Sequence, residues 1–280
     1  MKRKIEISEI QGLELDILEK LIKFLNENKI EYFTSGGTTL GSVRHGGFIP
    51  WDDDIDIYVP RKDYDRLLEM SDGELIDGYI KIRKPGDANY IYQFAKACNE
   101  NTVIHEQSVS DQKYAIGIFV DIFPLDKHYN SKFKNNLLIL KTKWYRSLLE
   151  TASKQVNLSQ KGSVRWLIKE TIRTLQKPLT KKWNVEKTTA YIDNIGRKME
   201  SKNTDFVGDL VMKGNNNKDY YPADYFRTFA LGKFEHLTIK NPVEYDKYLT
   251  DMYGDYMKLP PEDQQIMHGF DAWYIGDEND

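Results

Sequence analysis

The chain has 280 residues, which is long enough to bury a core as one large domain or as one domain with a helical annex. Its net charge of −3 is small, and its single cysteine, Cys98, excludes an intrachain disulfide, which fits a reducing cytosol. No long apolar run is present and the first residues are charged throughout, so we expect neither a membrane-spanning helix nor a signal peptide.

The first predicted element is a helix from Ser8 to Asn28. Ser8 and Gln11 have the spacing of a capping box, in which two side chains satisfy backbone N–H groups at the helix start. An apolar stripe at helical spacing is formed by Ile10, Leu13, Ile17, Leu18, Leu21, Ile22 and Leu25. We therefore expect this helix to pack on a sheet and to have a purely structural role.

A pair of glycines follows the helix. The short apolar run Tyr32-Phe33 predicts a strand that leads into Gly36-Gly37-Thr38. Because glycine has no Cβ, these residues can present backbone N–H groups to a phosphate. A short helix predicted from Thr38 to Arg44 would add the partial positive charge of its N-terminus.

An acidic run, residues 52–54, leads into an alternating segment over residues 54–59 that is typical of a strand. Alternation places Asp54 and Asp56 on one face, while the apolar residues between them face the core. Two adjacent carboxylates repel each other unless a cation lies between them. The pattern therefore predicts a divalent metal with oxygen ligands, and such ligands favour Mg²⁺ or Mn²⁺.

Polar residues lie between the glycines and the acids, and their roles remain open. Arg44 could form two hydrogen bonds to phosphate oxygens, or it could pair with one of the nearby aspartates. We interpret His45 as structural and Trp51 as a packing residue. Asp53 is interpreted as the solvated start of the strand.

The middle of the chain predicts a helix from Arg61 to Met70 and strands over residues 78–83, 90–97 and 101–106. The next strand, Ile116 to Phe123, carries a lone carboxylate, Asp121, in an apolar run. Because an unpaired buried carboxylate is costly, we expect Asp121 to form a salt bridge or to bind a metal. Asp126, after Pro124, is interpreted as a cap.

Residues 131–190 hold 14 Lys and Arg but only 3 Asp and Glu, a net charge of +11 that suggests an anionic partner. Helices are predicted over 133–150, 163–177 and 184–200, with a loop over 153–163. On the first helix Leu137, Leu140, Trp144 and Leu148 lie on one side. That stripe could contact an anionic membrane, or it could face the core while the lysines solvate the outside. Aromatic residues at helical spacing argue against nucleic-acid binding.

The last part of the chain predicts a loop over 215–226, strands near 225–239 and a helix from Glu244 to Tyr253 that ends at Gly254. A proline-fixed tail follows, and residues 276–280 are expected to be disordered. We divide the chain into a catalytic core (1–130), a basic helical segment (131–200) and a C-terminal part that completes the site (201–280).

A resemblance to a known family rests on the stretch GGTTLGSVRHGGFIPWDDDIDI, Gly36 to Ile57, followed by RKDYDRLL. This stretch resembles the LicD family, which is related to fukutin-related proteins and has the nucleotidyltransferase fold. Weaker similarities are GIFVDIFPLD (117–126) and YLTDMYGDYMKLPPED (248–263). The resemblance implies an α+β fold with a nucleotidyltransferase-like mixed sheet, to which the basic helices are an insertion.

The same resemblance implies an activity. LicD-like enzymes transfer phosphocholine or a similar phospho-alcohol from a CDP-linked donor to a sugar hydroxyl of a cell-surface glycan or teichoic acid precursor, and CMP is released. The implied partners are a CDP-alcohol and a glycan or lipid-linked oligosaccharide, met in the cytoplasm at the inner face of the membrane. The implied metal ligands and catalytic acids are Asp54, Asp56 and Asp121. The implied donor-phosphate residues are Gly36, Gly37, Thr38, Arg44 and Lys96, although Lys96 could equally be an exposed strand lysine.

Other functions use the same residues. A nucleotidyltransferase would move NMP from an NTP to a small molecule with the same site. A Ca²⁺-binding module is suggested by Asp52, Asp54 and Asp56, which match the first three ligands of an EF-hand loop. However, Ile57 stands where that loop needs glycine and Asp63 stands where it needs glutamate.

Overall fold

A computed structural model describes residues 3–109, 111–211, 220–261, 265 and 271–275. Within these ranges the chain forms seven α-helices and thirteen strands in three sheets, the largest of which is mixed, and this confirms the predicted α+β class. The helices are α1 (Ile7–Glu27), α2 (Gly36–Arg44), α3 (Arg61–Met70), α4 (Lys132–Ala152), α5 (Val164–Gln176), α6 (Val185–Met199) and α7 (Tyr245–Tyr253). The strands are β1 (Lys4–Ile5), β2 (Phe33–Thr34), β3 (Asp56–Pro60), β4 (Leu75–Ile76), β5 (Ile80–Arg83), β6 (Ala95–Asn99), β7 (Thr102–His105), β8 (Phe119–His128), β9 (Phe206–Gly208), β10 (Tyr220–Pro222), β11 (Phe229–Phe234), β12 (Leu237–Pro242) and β13 (Asp271–Tyr274).

The long strand β8 organises the main sheet. It pairs in parallel with β3, and it pairs antiparallel with β6 and, further along, with β9. The parallel register places Asp56 opposite Asp121, and the antiparallel register places Lys96 opposite the same aspartate. Residues from three neighbouring strands therefore meet at one position of the sheet.

The two faces of β3 contact different cores, as its alternation predicts. Ile57 and Val59 pack with Ile17 of α1 in one core. Tyr58 packs with Phe123 of β8 in the other core. Asp56 shares the face of Tyr58 because its side chain alternates with Ile57.

Helix α1 begins earlier than predicted. Its N-cap is Glu6, so Ser8 lies inside the first turn and the predicted capping box is wrong. The side chain of Gln11 instead donates a hydrogen bond to the backbone carbonyl of Asp52, at 2.8 Å. The helix thus contacts the acidic run directly, which its apolar stripe did not reveal.

Several other predicted boundaries change. Helix α3 has the predicted bounds, but the strand predicted over 90–97 begins only at Ala95. The Tyr90 hydroxyl donates to the carbonyl of Phe94 at 2.7 Å, so the preceding aromatic residues fold back instead of extending. The paired strands β1 and β13, which join β7 in a separate sheet, were not predicted because they are so short.

The basic segment forms three helices as predicted, and the last of them is tied to the main sheet by a buried ion cluster. Arg61 donates to both oxygens of Asp126, at 2.7 and 3.0 Å, and to Asp193 of α6 at 2.7 Å. A Cβ at Gly196 would lie 2.3 Å from an Asp126 oxygen, so only glycine allows α6 this close. Asp126 therefore lies in β8 and anchors α6, and its interpretation as a cap is wrong.

The C-terminal part packs beside the first strands. The side chain of Asn241 in β12 accepts a hydrogen bond from Thr34 at 2.6 Å and donates one to Ser42 at 3.0 Å. Helix α7 has the predicted end at Gly254, whereas β10 occupies part of the predicted loop. Residues 215–219 of that loop, residues 262–264 of the predicted tail and residues 276–280 lie outside the described ranges.

Candidate active site

The centre of the candidate site is the side-by-side pair Asp56 and Asp121. Asp121 is buried, and one of its oxygens accepts a hydrogen bond from the Lys96 ammonium at 2.5 Å. The Lys96 side chain is itself buried, so the alternative of an exposed strand lysine is wrong. Asp121 was expected to form a salt bridge or to bind a metal, and the structure contains the salt bridge. Lys96 contacts only one of the two carboxylate oxygens of Asp121.

Burial and mutual repulsion act on both carboxyl groups. Burial raises the pKa of Asp56 well above its usual value, and the nearby charges of Asp54 and Asp121 raise it further. Burial also raises the pKa of Asp121, to about 6, although Lys96 opposes that shift. Asp54 lies just before β3, which begins at Asp56, yet it is close enough to influence both of its neighbours. The three predicted acids are thus electrostatically coupled.

The glycine turn lies against these acids at the start of α2. Gly36 has a φ of +47°, which favours glycine, and its N–H donates to the Tyr248 hydroxyl at 2.9 Å. A Cβ at Gly37 would lie 2.6 Å from an Asp52 oxygen, so the acidic run passes directly over this glycine. The Thr38 hydroxyl accepts the backbone N–H of Asp56 at 2.8 Å. Both glycines belong to the first turn of the helix, which was predicted to begin only at Thr38.

Arg44 lies apart from the other predicted phosphate residues. It is at the opposite end of α2 from Gly36, about 12 Å away along the helix axis. Its guanidinium donates to the ring of His45 at 2.9 Å and to the carbonyl of Tyr256 at 2.7 Å. A role of Arg44 in phosphate binding stays a prediction.

The residues around the acidic run are more buried than expected. Asp53 is buried, so its interpretation as a solvated strand start is wrong. Trp51 packs at the edge of the core that contains Tyr58, in agreement with its predicted packing role. Within the acidic run Asp53 is thus buried, whereas Asp52 and Asp54 are half-buried.

Glu14 of α1 is a site residue that the sequence analysis missed. It is fully buried, and neither carboxylate oxygen has a hydrogen-bond partner among the described residues. Burial raises its pKa well above the usual value, and the charges of Asp54, Asp53 and Asp121 raise it further. The signal was available, because Glu14 interrupts the apolar stripe of α1 just as Asp121 interrupts the apolar run of its strand.

Two tyrosines of α7 also border the site. Tyr248 is buried, and burial raises its pKa to about 12, so its hydroxyl stays protonated at neutral pH. A Cβ at Gly36 would lie 3.6 Å from the Tyr253 hydroxyl and 3.9 Å from an Asp56 oxygen. The tyrosine hydroxyl and the carboxylate therefore both lie next to Gly36. Both lie in the segment 248–263 that carries part of the family resemblance, but no role was predicted for them.

A divalent metal fits the chemistry of this site. The donors are all carboxylate oxygens, and one ammonium faces a local excess of negative charge. In the part of the chain that the structure describes, no three acidic, histidine or cysteine side chains converge as a ready-made metal cage. The assignment of Asp54, Asp56 and Asp121 as ligands therefore stays a proposal based on donor type and charge.

Replacing Glu14 with glutamine is expected to stabilise the metal-free protein at pH 8. The pKa of Glu14 in the folded protein lies well above its usual value of 4.5. The stability that protonated Glu14 contributes is therefore fully present below pH 4.5, and it is lost as the pH rises toward and through the folded-state pKa. Glutamine cannot ionise, so the Tm of Glu14→Gln should exceed that of the wild type by a margin that grows from pH 5 to pH 8. Thermal unfolding at both pH values, with EDTA present, measures this margin.

The matched control for this measurement is Glu27→Gln, because Glu27 lies on the same helix and is exposed. Its Tm should follow the wild type at both pH values. A constant difference between Glu14→Gln and the wild type across this pH range would contradict the prediction.

The site can now be compared with known proteins. A family model described as LicD/FKTN/FKRP, nucleotidyltransferase domain, matches residues 29–154, which include the glycine turn and all three predicted acids. The lipopolysaccharide cholinephosphotransferase LicD of Haemophilus influenzae is 30% identical over 285 residues, covering 98% of this chain and 99% of the relative. The chain is thus an enzyme of the nucleotidyltransferase-domain class. It belongs to the LicD family, as the sequence predicted.

Two shorter similarities come from Rickettsia. An uncharacterized protein of Rickettsia typhi is 28% identical over 132 residues, which are 46% of this chain and 40% of that protein. An uncharacterized protein of Rickettsia prowazekii is 40% identical over 69 residues, which are 24% of this chain and 26% of that protein. These two relatives share only part of the chain and add no activity.

Proposed function

We propose that this protein transfers phosphocholine, or a closely similar phospho-alcohol, from a CDP-linked donor to a sugar hydroxyl of a cell-surface glycan or teichoic acid precursor, with release of CMP. The similarity to a cholinephosphotransferase along nearly the whole chain supports this activity. The observation that carries the proposal is the register pair Asp56 and Asp121 beside the glycine turn of α2. A carboxylate pair next to a helix N-terminus suits a phosphate group together with the cation that accompanies it.

In this proposal Asp54, Asp56 and Asp121 hold Mg²⁺ or Mn²⁺, which when bound would offset the charge of the donor phosphates. The backbone of Gly37 and the N-terminal turn of α2 orients those phosphates, while the Gly36 N–H, which donates to Tyr248, fixes the shape of the turn. Thr38 fixes the backbone of Asp56 through its hydroxyl. Lys96 keeps the Asp121 carboxylate in one orientation and favours its ionised form, because a nearby ammonium lowers the pKa of a carboxyl.

The proposed transfer is an in-line displacement. The acceptor oxygen forms a bond to the phosphorus that bears choline, and the bond from that phosphorus to the bridging oxygen breaks, so CMP leaves with the bridging oxygen. The oxygen of Asp121 that Lys96 does not hold has two lone pairs, so one would face the cation while the other accepts the proton of the acceptor hydroxyl. With a pKa of about 6, Asp121 is mostly ionised at neutral pH and can act as a general base.

The acceptor in this proposal is met in the cytoplasm, while it is still carried on a lipid at the inner face of the membrane. In the described ranges, no helix combines the length and apolar character needed to cross a bilayer. Contact with the membrane would therefore be peripheral.

Incubation of the protein with CDP-choline, Mg²⁺ and a lipopolysaccharide or teichoic acid acceptor is expected to release CMP in step with choline incorporation. CDP-ethanolamine and CDP-linked polyols, tested in parallel, identify the transferred alcohol by the largest kcat/KM. Nucleotide products are separated by ion-exchange chromatography, and Asp56→Asn is the inactive control.

The alternative is nucleotidyl transfer, which the name of the matching domain favours. It would consume CTP or another NTP and release pyrophosphate while NMP stays on the product. Pyrophosphate formation from an NTP, without CMP release from CDP-choline, would replace the proposed reaction with this one.

A further inference from the structure

Helix α4 has an apolar stripe that faces away from the protein. Its members recur at helical spacing, and they are 47 to 72% exposed: Phe133, Leu137, Leu140 and Trp144. The residues on the opposite side of the helix, among them Asn135, Thr142 and Leu149, are buried. Of the two alternatives for the stripe of Leu137, Leu140, Trp144 and Leu148, packing into the core is therefore wrong, except for Leu148, which is buried.

Helix α5 repeats this arrangement. Its exposed apolar residues also recur at helical spacing, and they are 52 to 73% exposed: Val164, Leu167, Ile168 and Leu175. The buried Gln176 and the partly buried Arg173 lie on the other side, where Gln176 bonds Ser147 and Thr151 of α4. Two neighbouring helices thus each present an apolar face to solvent, which is unusual for a water-facing surface.

Positive charge surrounds these stripes. Lys134 and Lys141 lie on one flank of the α4 stripe and Lys143 lies on the other, and all three are exposed. The surrounding segment, residues 131–190, has the net charge of +11 given by its sequence. An apolar stripe with cations on its flanks is the pattern of a helix that lies in the interface of an anionic membrane.

A cleft between α4 and α6 adds a second feature of the same kind. It has a volume of about 370 Å³, and the side chains of Lys141, Lys198 and Lys202 line it together with two tyrosines. Among the described residues, no acidic side chain lines this cleft. Three ammonium groups and tyrosine hydroxyls suit a phosphate-bearing headgroup.

We infer that α4 and α5 form a docking surface for an anionic lipid bilayer, with the cleft beside α4 receiving a lipid headgroup phosphate. Charge complementarity favours this occupant, because the surface combines exposed apolar side chains with a net excess of positive charge. The surface is separate from the transfer site, so it stands whether or not the proposed reaction is correct. The competing occupant is a second copy of the chain, because the residues outside 131–190 have a net negative charge.

Vesicle co-sedimentation tests the surface. The wild type should bind vesicles of phosphatidylcholine with 30% phosphatidylglycerol at least tenfold more tightly than vesicles of phosphatidylcholine alone. Binding should fade as salt rises from 0.1 M to 1 M, where the Debye length shrinks from about 10 Å to about 3 Å. Leu140→Glu with Trp144→Glu, and separately Lys134→Glu with Lys143→Glu, should each weaken binding to the anionic vesicles at least tenfold.

Matched controls carry the same changes elsewhere on the surface. Leu231→Glu with Leu75→Glu changes two apolar residues that are 70% and 48% exposed on β11 and β4. Lys62→Glu with Lys23→Glu reverses two exposed lysines on α3 and α1. Both double variants should bind like the wild type. Arg146 is unsuitable for charge reversal because it is buried and donates to the Val211 carbonyl at 3.3 Å. CMP release with a soluble acceptor should be equal in the surface variants and the wild type, which separates this test from the proposed reaction.

Equal binding to neutral and anionic vesicles, or binding to neither, would overturn the inference. So would equal effects of the surface variants and their controls. Analytical ultracentrifugation covers the competing occupant: a dimer that Leu140→Glu with Trp144→Glu dissociates, in a protein that does not bind vesicles, would assign the surface to a second copy.

Discussion

Replacement of Asp56 or Asp54 by asparagine is expected to abolish transfer while the fold stays intact. Loss of a carboxylate that holds a catalytic cation or organises the transferred phosphate lowers rates by roughly a thousandfold or more. Asparagine has nearly the same shape as aspartate, and either replacement removes one member of the group of neighbouring carboxylates that repel each other. The Tm of the metal-free variants should therefore equal or exceed that of the wild type.

Steady-state CMP release and thermal unfolding measure the two halves of this prediction. Asp72→Asn is the matched control, because Asp72 is an aspartate whose side chain is 71% exposed, outside the site, and its variant should keep full activity. Asp121→Asn should also be inactive, and retention of more than roughly a tenth of the activity, compared with the losses of 10²-fold or more typical of a removed general base, would make Asp121 a structural acid. Full turnover by Asp56→Asn would remove the acid pair from the mechanism.

Replacement of Arg61 by methionine is expected to lower the free energy of unfolding by about 3–5 kcal/mol, because it leaves the buried Asp126 without its cation and leaves Asp193 with only the half-exposed Arg197. Burial alone would lower the pKa of Arg61, but the two carboxylates raise it well above its usual value, so the guanidinium is charged in the fold. In a chain of this size the Tm should fall by roughly 10 °C.

Arg66→Met is the matched control on the same helix, because Arg66 pairs with Asp63 at 2.7 Å but its side chain is 49% exposed. An exposed ion pair contributes about 1 kcal/mol at most. The double variant Arg61→Met with Asp126→Asn should recover part of the loss, since one uncompensated charge is removed. Equal Tm values for the two arginine variants would show that the cluster does not hold α6 to the sheet.

The acid pair could be predicted from sequence because its signals are local. Alternation over residues 54–59 predicted the strand and the face of Asp56, although the strand begins only at Asp56 and leaves Asp54 outside it. A carboxylate inside an apolar run singled out Asp121. The pairing of Asp56 with Asp121 follows once both lie on neighbouring parallel strands. The assignment of these acids as metal ligands rests on the family resemblance and on charge, and it stays a proposal.

Features that depend on distant residues could not be predicted in this way. Nothing near Asp126 in the sequence indicates the buried ion cluster that it forms with Arg61 and Asp193. Asp126 was therefore interpreted as a cap. The direction of an amphipathic stripe is equally ambiguous, because Leu137 and Leu21 have the same helical spacing although one is exposed and the other is buried. Only the packing of neighbouring helices decides which stripe meets solvent.

The topology of β8 also determines the order in which the site can form during folding. The antiparallel partner that brings Lys96 to Asp121 is only 25 residues away along the chain, so this contact closes a short loop. The parallel pairing of β3 with β8, which brings Asp56 to Asp121, closes a longer loop that contains all the elements from α3 to β7. Closing this longer loop costs more chain entropy. We therefore expect the neutralised half of the site to form first. Asp56 then approaches Asp121 after Lys96 has offset the charge of Asp121, so the pairing of β3 with β8 meets less repulsion between the two acids.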